Sequence, residues 1–204
     1  MIALLRRSAL IVLAALAALA ACGRSPAAGP RAAGTVSDFS VYDLEAPWRD
    51  QAGESRPLRS LAGRVQVVAM TYTHCGHTCP LIVAELKRLE AELAPDEAGR
   101  VGFVLFSLDP ARDTPGRLAE YAGLARLSPQ RWTLLTSTDE QVRELAALLA
   151  VRYRPEGAGE LSHSNSYLVL DAEGRVIFRR DALDGGIDEP LAQIRGALQP
   201  RQAE

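Results

Sequence analysis

The chain has 204 residues, a formal net charge of -2, 24% charged and 48% apolar residues, and three cysteines. That length suits one domain behind a leader, and a mixed, near-neutral surface without a basic stripe gives no reason to expect a nucleic-acid partner. Three cysteines are too few for a disulfide scaffold, so any pair among them is functional or locally structural.

Residues 1–21 read as a secretory signal. Arg6 and Arg7 supply the positive start, and Ala9 to Ala20 form an uncharged alanine- and leucine-rich run that is too short to span a bilayer comfortably. The run ends in Leu19-Ala20-Ala21-Cys22, which resembles the lipobox of bacterial lipoproteins. That resemblance implies that Cys22 becomes the lipid-bearing N-terminus; the competing reading is ordinary signal cleavage, with Cys22 left as a stray thiol. Residues 22–34, rich in Ala, Pro and Gly, form the expected flexible tether, and residues 35–200 the folded domain. The expected product is an exported lipoprotein, anchored to a membrane and facing the periplasm or another extracytoplasmic space. Disulfides persist there.

The folded part opens with a short alternating stretch at Phe39 and Val41 and a turn at Gly53, read together as an N-terminal hairpin leading to Leu61. Val65 to Tyr72 is β-branched and apolar on both faces, as a central strand of a covered sheet must be. From Pro80, a residue suited to a first helical turn, Ile82, Leu86, Leu89 and Leu93 repeat at helical spacing. Val101 to Leu108 is a second buried strand. Thr114 and Pro115 then cap and open a helix bearing Leu118, Tyr121, Ala122 and Ala125. Trp132 to Leu135 is a third strand. Thr138, with Gln141 three residues on, is a capping-box start for a helix carrying Val142, Leu145 and Leu149. Asn165 to Leu170 is a strand, Asp171 to Gly174 turns it into an antiparallel partner at Arg175 to Phe178, and a last helix covers about 189–198. Alternating strands and helices followed by a hairpin define an α/β fold with a mixed central sheet flanked by helices. With two cysteines where the first core strand meets its helix, the layout resembles thioredoxin, with an N-terminal hairpin extension.

Those cysteines stand in Thr71-Tyr-Thr-His74-Cys75-Gly-His77-Thr-Cys79-Pro80. A helix N-terminus favours the thiolate, which is both the nucleophile and the soft metal ligand. Dithiol oxidoreductases commonly space the pair as C-x-x-C; here one more residue intervenes. The wider loop can close a disulfide if its Cβ atoms come within reach, or hold both sulfurs around copper(I), zinc or an iron–sulfur group. Two thiolates do not complete a metal site. His163, just before the last core strand in a serine-rich loop, is the candidate third ligand because the topology carries that loop over the cysteines. His74 and His77 are further candidate ligands, read in the first instance as exposed loop residues. Asp109 and Asp113 are either acids behind the site or local turn and cap residues. Trp132 and Tyr167 are read as core.

Three motifs in register carry a family resemblance: Tyr72-Thr-His-Cys75 with Cys79-Pro80, then Ser107-Leu-Asp109-Pro110 with Arg112-Asp113-Thr114-Pro115, then His163-Ser164. The chain from about Phe39 to Leu198 resembles the Sco (SenC) family, membrane-anchored thioredoxin-like proteins that help assemble the dinuclear copper centre of cytochrome c oxidase. The resemblance implies Cys75, Cys79 and His163 as ligands of copper, Cu+ or Cu2+, and the oxidase copper-binding subunit as client. One departure lies in the loop. The family's common form is Cys-Pro-Asp-x-Cys-Pro and this chain has Cys-Gly-His-Thr-Cys-Pro, a looser loop with one negative charge fewer.

The leading functional expectation is a copper metallochaperone rather than an enzyme. The alternative is a thiol–disulfide oxidoreductase that reduces the oxidase subunit's copper-ligand cysteines, with Cys75 and Cys79 as its redox pair. A thiol peroxidase fits less well, since the Thr-x-x-Cys and arginine constellation of peroxiredoxins is absent.

Overall fold

The structure is a computed structural model that describes residues 39–157, 160–183 and 185–199. The signal, the tether and Cys22 lie outside the described residues. Among the described residues, seven strands form the main sheet in the order β2-β1-β5-β4-β3-β8-β9. They are β1 (Trp48–Asp50), β2 (Ser55–Arg56), β3 (Val65–Thr71), β4 (Val101–Ser107), β5 (Trp132–Thr136), β8 (Tyr167–Leu170) and β9 (Val176–Arg180). Strands β3, β4 and β5 are mutually parallel, whereas β1 runs antiparallel to β5, and β8 antiparallel to both β3 and β9. This is the expected mixed sheet of a thioredoxin-like α/β fold.

Every residue of β3 and of β4 is buried, and alternation sends their side chains into two separate cores. On one face Val67, Ala69, Phe103 and Leu105 meet α1 (Cys79–Ala91), α3 (Pro115–Leu124) and α5 (Asp188–Leu198). On the other, Val68, Met70, Val104 and Phe106 meet α4 (Asp139–Leu148) and the N-terminal segment around Trp48 and Leu58. The helix starts follow their chemistry. Thr114 Oγ1 accepts the Arg117 N–H and Thr138 Oγ1 that of Gln141, each satisfying a first-turn donor that has no helical partner. Trp132 and Tyr167 are core residues, as read.

Four differences from the sequence reading have local causes. Val41–Asp43 is a 3-10 turn rather than a strand, because Ser40 Oγ accepts the Tyr42 N–H. The hairpin turning at Gly53 (φ 83°) therefore joins Trp48–Asp50 to Ser55–Arg56, and it extends the sheet by pairing with β5. Glu97 Oε2 accepts the Ala94 N–H and starts a short helix, α2 (Pro95–Ala98), that has no amphipathic period to read. Finally, His163 is not in a loop. It ends β7 (Glu160–His163), which pairs with β6 (Tyr153–Gly157) in a separate two-stranded sheet.

Candidate metal centre

The register of the sheet assembles the site before any side chain is considered. Parallel pairing of β3 with β4 sets Thr71 opposite Ser107, so the loops that follow leave the same edge together. Antiparallel pairing sets Ala69 opposite Tyr167, so the chain entering β8 arrives at that edge too. Loop 72–78, loop 108–114 and the end of β7 therefore converge beyond the carboxyl end of β3, where ligands of open α/β sheets bind.

Cys79 is the first residue of α1, and Thr78 before it makes no side-chain cap. Cys75 Sγ fills that role by accepting the Cys79 N–H at 3.3 Å, with Thr78 Oγ1 at 3.8 Å. Burial raises the Cys75 pKa, but hydrogen bonds from the Cys79 thiol, the backbone N–H groups of Cys79 and His77, and the Thr78 hydroxyl outweigh it and bring the thiol to about 6. Cys79 is fully buried; burial, and then its donation to the Cys75 sulfur, push its thiol far up. The pair is thus asymmetric: a half-buried thiolate at neutral pH beside a buried thiol. Both are free.

His163 comes from 84 residues away and sets Nε2 3.3 Å from Cys79 Sγ. Its Nδ1 lies 3.0 Å from Ser164 O. That contact requires the proton on Nδ1 and leaves the Nε2 lone pair facing the sulfurs, the arrangement by which a backbone carbonyl orients a ligating imidazole. The two sulfurs and a ring nitrogen of His163 all lie within 4.8 Å of one another. An ion with bonds of about 2.0–2.3 Å spaces its donors by about 3.3–3.8 Å, so small movements suffice to close this set around one soft metal.

Two acids and a phenol hold the frame. Asp113 is fully buried; its carboxylate accepts from Thr73 Oγ1 at 2.5 Å, from Ser107 Oγ at 2.6 Å and from the Thr73 N–H at 3.2 Å. It ties the cysteine loop to the end of β4, which local cap work alone does not describe. Asp109 pairs with Arg112. His74 is exposed with Nδ1 3.3 Å from Thr73 Oγ1. It forms a second group with Asp109 and Asp113, but the Asp113 oxygens are already engaged. His77 is also exposed and lines a cavity of about 470 Å³ with Tyr72, Cys75, Glu160 and His163. The structure thus brings Cys75, Cys79 and His163 together and leaves His74 and His77 outside that set.

The sequence reading did not anticipate the role of Tyr72. Its ring meets His163 edge-on at 5.9 Å between centroids, and its hydroxyl meets Glu160 and Leu161 on β7. The signal available was parity: Tyr72 continues the Val68 and Met70 side of β3. What that side faces was hidden, because β6 and β7 were not legible.

A thioredoxin-like fold with a Cys-x-x-x-Cys pair at the start of a helix and a distant histidine on the sulfurs defines a small class of proteins. The SCO1/SenC family profile matches residues 41–199, and the chain belongs to that family. It is 29% identical over 167 residues to the SCO1 protein homolog of Bacillus subtilis, covering 79% of this chain and 86% of that one. Among solved structures it is similar to Arabidopsis thaliana ScoI with copper bound (TM-score 0.65, 22% identity, 74% of this chain and 96% of that one). It is also similar to BsSco, described with a disulfide switch and as a member of the Sco family of cytochrome c oxidase assembly proteins (TM-score 0.66, 25% identity, 80% and 98% coverage).

Proposed function

We propose that this protein is a copper metallochaperone, taking copper as Cu+ or Cu2+ at Cys75, Cys79 and His163 and passing it to the dinuclear copper centre of cytochrome c oxidase. The observation that carries the reading is the 3.3 Å approach of His163 Nε2 to Cys79 Sγ across 84 residues of chain. A dithiol exchanger has no use for a third donor, whereas a metal site does. Two thiolates satisfy cuprous copper in low coordination; the imidazole makes the set competent for cupric copper as well. Copper in the related ScoI and oxidase assembly in the description of BsSco support the same reading.

Handover follows from the asymmetry of the thiols. Cys75 and His163 line the cavity while buried Cys79 holds from below, and Cys75 is the donor an incoming client ligand can displace first. Oxidation of both sulfurs to a disulfide would remove two ligands at once, so redox state would gate loading. The leader is assigned accordingly: residues 1–21 as signal, Cys22 as lipid anchor and 22–34 as tether, holding the domain on the outer side of a membrane. Among the described residues no helix is long and apolar enough to cross a membrane.

A second reading, favoured by the half-exposed low-pKa thiol and by the disulfide switch described for BsSco, is reduction of the client's copper-ligand cysteines. Cys75 thiolate would attack a client disulfide and release one client thiolate. Cys79 sulfur would then attack Cys75 in the mixed disulfide and release the second. Two electrons would pass to the client, two protons would complete its thiols, and Cys75–Cys79 would be left oxidised. His163→Ala separates the readings. For a chaperone it weakens Cu2+ binding at least about tenfold, one ligand's worth of more than about 1.4 kcal/mol, and leaves disulfide formation intact; undiminished Cu2+ affinity would remove the three-ligand site.

A further inference from the structure

Among the described residues, the strand that carries His163 is attached to the body of the protein by few contacts. β6 and β7 pair with each other and with no strand of the main sheet among the described residues. Their base is closed on itself, with Ser164 N–H donating to Arg152 O at 2.8 Å and the Arg152 N–H to Ser164 Oγ at 3.1 Å. Tyr153 and Leu161 pack against the core only partly buried. Such a hairpin, alone in water, is marginal.

Among the described residues, one side chain carries most of the hydrogen bonds across the gap. Tyr72 leaves the end of β3, three residues before Cys75, and is itself buried. Its hydroxyl donates to Glu160 Oε2 at 2.9 Å with Leu161 O at 3.2 Å, and accepts the Leu161 N–H at 3.3 Å. A single phenolic oxygen thus takes the place of a neighbouring strand for the peptide groups of Leu161, two residues before His163. The same ring supplies the edge-on wall for the imidazole. Among the described residues, the other polar contact from β6 or β7 to the body is the approach of His163 Nε2 to Cys79 Sγ.

We infer that the Tyr72 hydroxyl and Glu160 form a latch that fixes the His163 strand over the cysteines, making Tyr72 a positioning residue for the third ligand. The metal consequence rests on the copper reading above; the mechanical one does not. With the latch closed, His163 Nε2 stays at the sulfurs and the site has three donors. With it open, the hairpin carries His163 away and the site keeps two thiolates, which suffice for Cu+ but not for Cu2+. Glu160 also lines the cavity in front of Cys75, so a client entering there meets one half of the latch.

The test is Tyr72→Phe in the full chain, purified reduced and metal-free, with Glu160→Ala and Glu160→Gln beside it. Amide hydrogen exchange at Leu161 reads the latch without any metal. Phenylalanine keeps the ring and loses every hydroxyl contact, so Leu161 should exchange about tenfold faster while Val67 and Val104 in the main sheet stay at the parental rate. Glu160→Ala should speed Leu161 by a smaller factor, and Glu160→Gln, which keeps an acceptor oxygen, should stay close to the parent. Titration with Cu2+ should then show about tenfold weaker binding in Tyr72→Phe, with Cu+ affinity within about twofold. Parental exchange at Leu161 in Tyr72→Phe would overturn the latch, and faster exchange with unchanged Cu2+ affinity would overturn its positioning role. If the parent bound no copper, the proposed function would fall and the exchange data alone would decide the latch.

Discussion

Asp113→Ala should cost the fold more than any other change at the site, and the structure gives the size. The two short bonds, from Thr73 Oγ1 at 2.5 Å and Ser107 Oγ at 2.6 Å, are charge-assisted, and bonds to a charged group contribute about 1.5–3 kcal/mol each. Against their sum stands relief from burying a carboxylate that is fully inaccessible, a cost of several kcal/mol in the native state. Ser107 remains buried with its hydroxyl short of an acceptor, while half-exposed Thr73 regains water. The net loss should be about 2–4 kcal/mol, a fall in Tm of about 5–15 °C for a domain of this size. Thermal melting of the reduced, metal-free protein reads it. Glu120→Ala is the control: it breaks a solvent-exposed pair with Arg117, the residue that also touches Thr73, and should cost under about 1 kcal/mol. Asp113→Asn should rescue only in part, since its Oδ1 keeps one acceptor while the charge and the second acceptor are lost. A Tm for Asp113→Ala within about 2 °C of the Glu120→Ala value would refute the claim that this carboxylate ties the cysteine loop to β4.

Other consequences are independent of that network. Iodoacetamide should alkylate Cys75 with a midpoint near pH 6 while buried Cys79 stays unmodified; a midpoint near 8–9 would deny the hydrogen-bonded thiolate. Because the folded pKa of Cys75 lies below that of a free thiol, its contribution to stability is complete above about pH 8.5 and is lost as pH falls through about 6. The Tm of the parent minus that of Cys75→Ser should therefore rise between pH 5 and pH 8.5, and a flat difference would contradict the sign. Gly102→Ala sets a Cβ 2.2 Å from Oε1 of Gln66, a buried side chain whose Nε2 donates to Leu61 O at 2.8 Å. It should cost about 1–3 kcal/mol by denaturant unfolding, less when Gln66 is already alanine, whereas strict additivity in that cycle would mean the two do not meet.

Much of this was readable beforehand, for reasons that differ between elements. β3 and β4 read as largely apolar runs because both faces are covered, and buried polar exceptions such as Gln66 and Ser107 each have a hydrogen-bond partner. Cys79 and Pro80 announce α1 because the first turn of a helix tolerates proline and rewards an acceptor such as the Cys75 sulfur. Order along the chain then delivers His163, since an antiparallel β8 must begin where β3 ends. The hairpin that carries His163 was not legible. β6 is Tyr-Arg-Pro-Glu-Gly with four of its five residues exposed, and proline and charge argue against a strand unless it is an edge. Whether Asp113 was an acid behind the site or a turn residue was open in the sequence because its partners, Thr73 and Ser107, are joined to it by sheet register rather than by sequence. Tyr72 was read only as the end of a strand, since its partners on β7 are likewise distant in sequence. Phe39 misled in the other direction: its alternation with Val41 covers too few residues to outweigh the Ser40 cap that winds the turn.

X-ray absorption at the copper edge of the reduced protein loaded with one equivalent of Cu+, and again after oxidation to Cu2+, tests the central claim most directly. Two sulfurs are expected in both states, with one imidazole nitrogen at least in the cupric state and lost from it in His163→Ala. A cupric first shell with no sulfur, or one whose nitrogen survives the loss of His163, would contradict a site built from Cys75, Cys79 and His163.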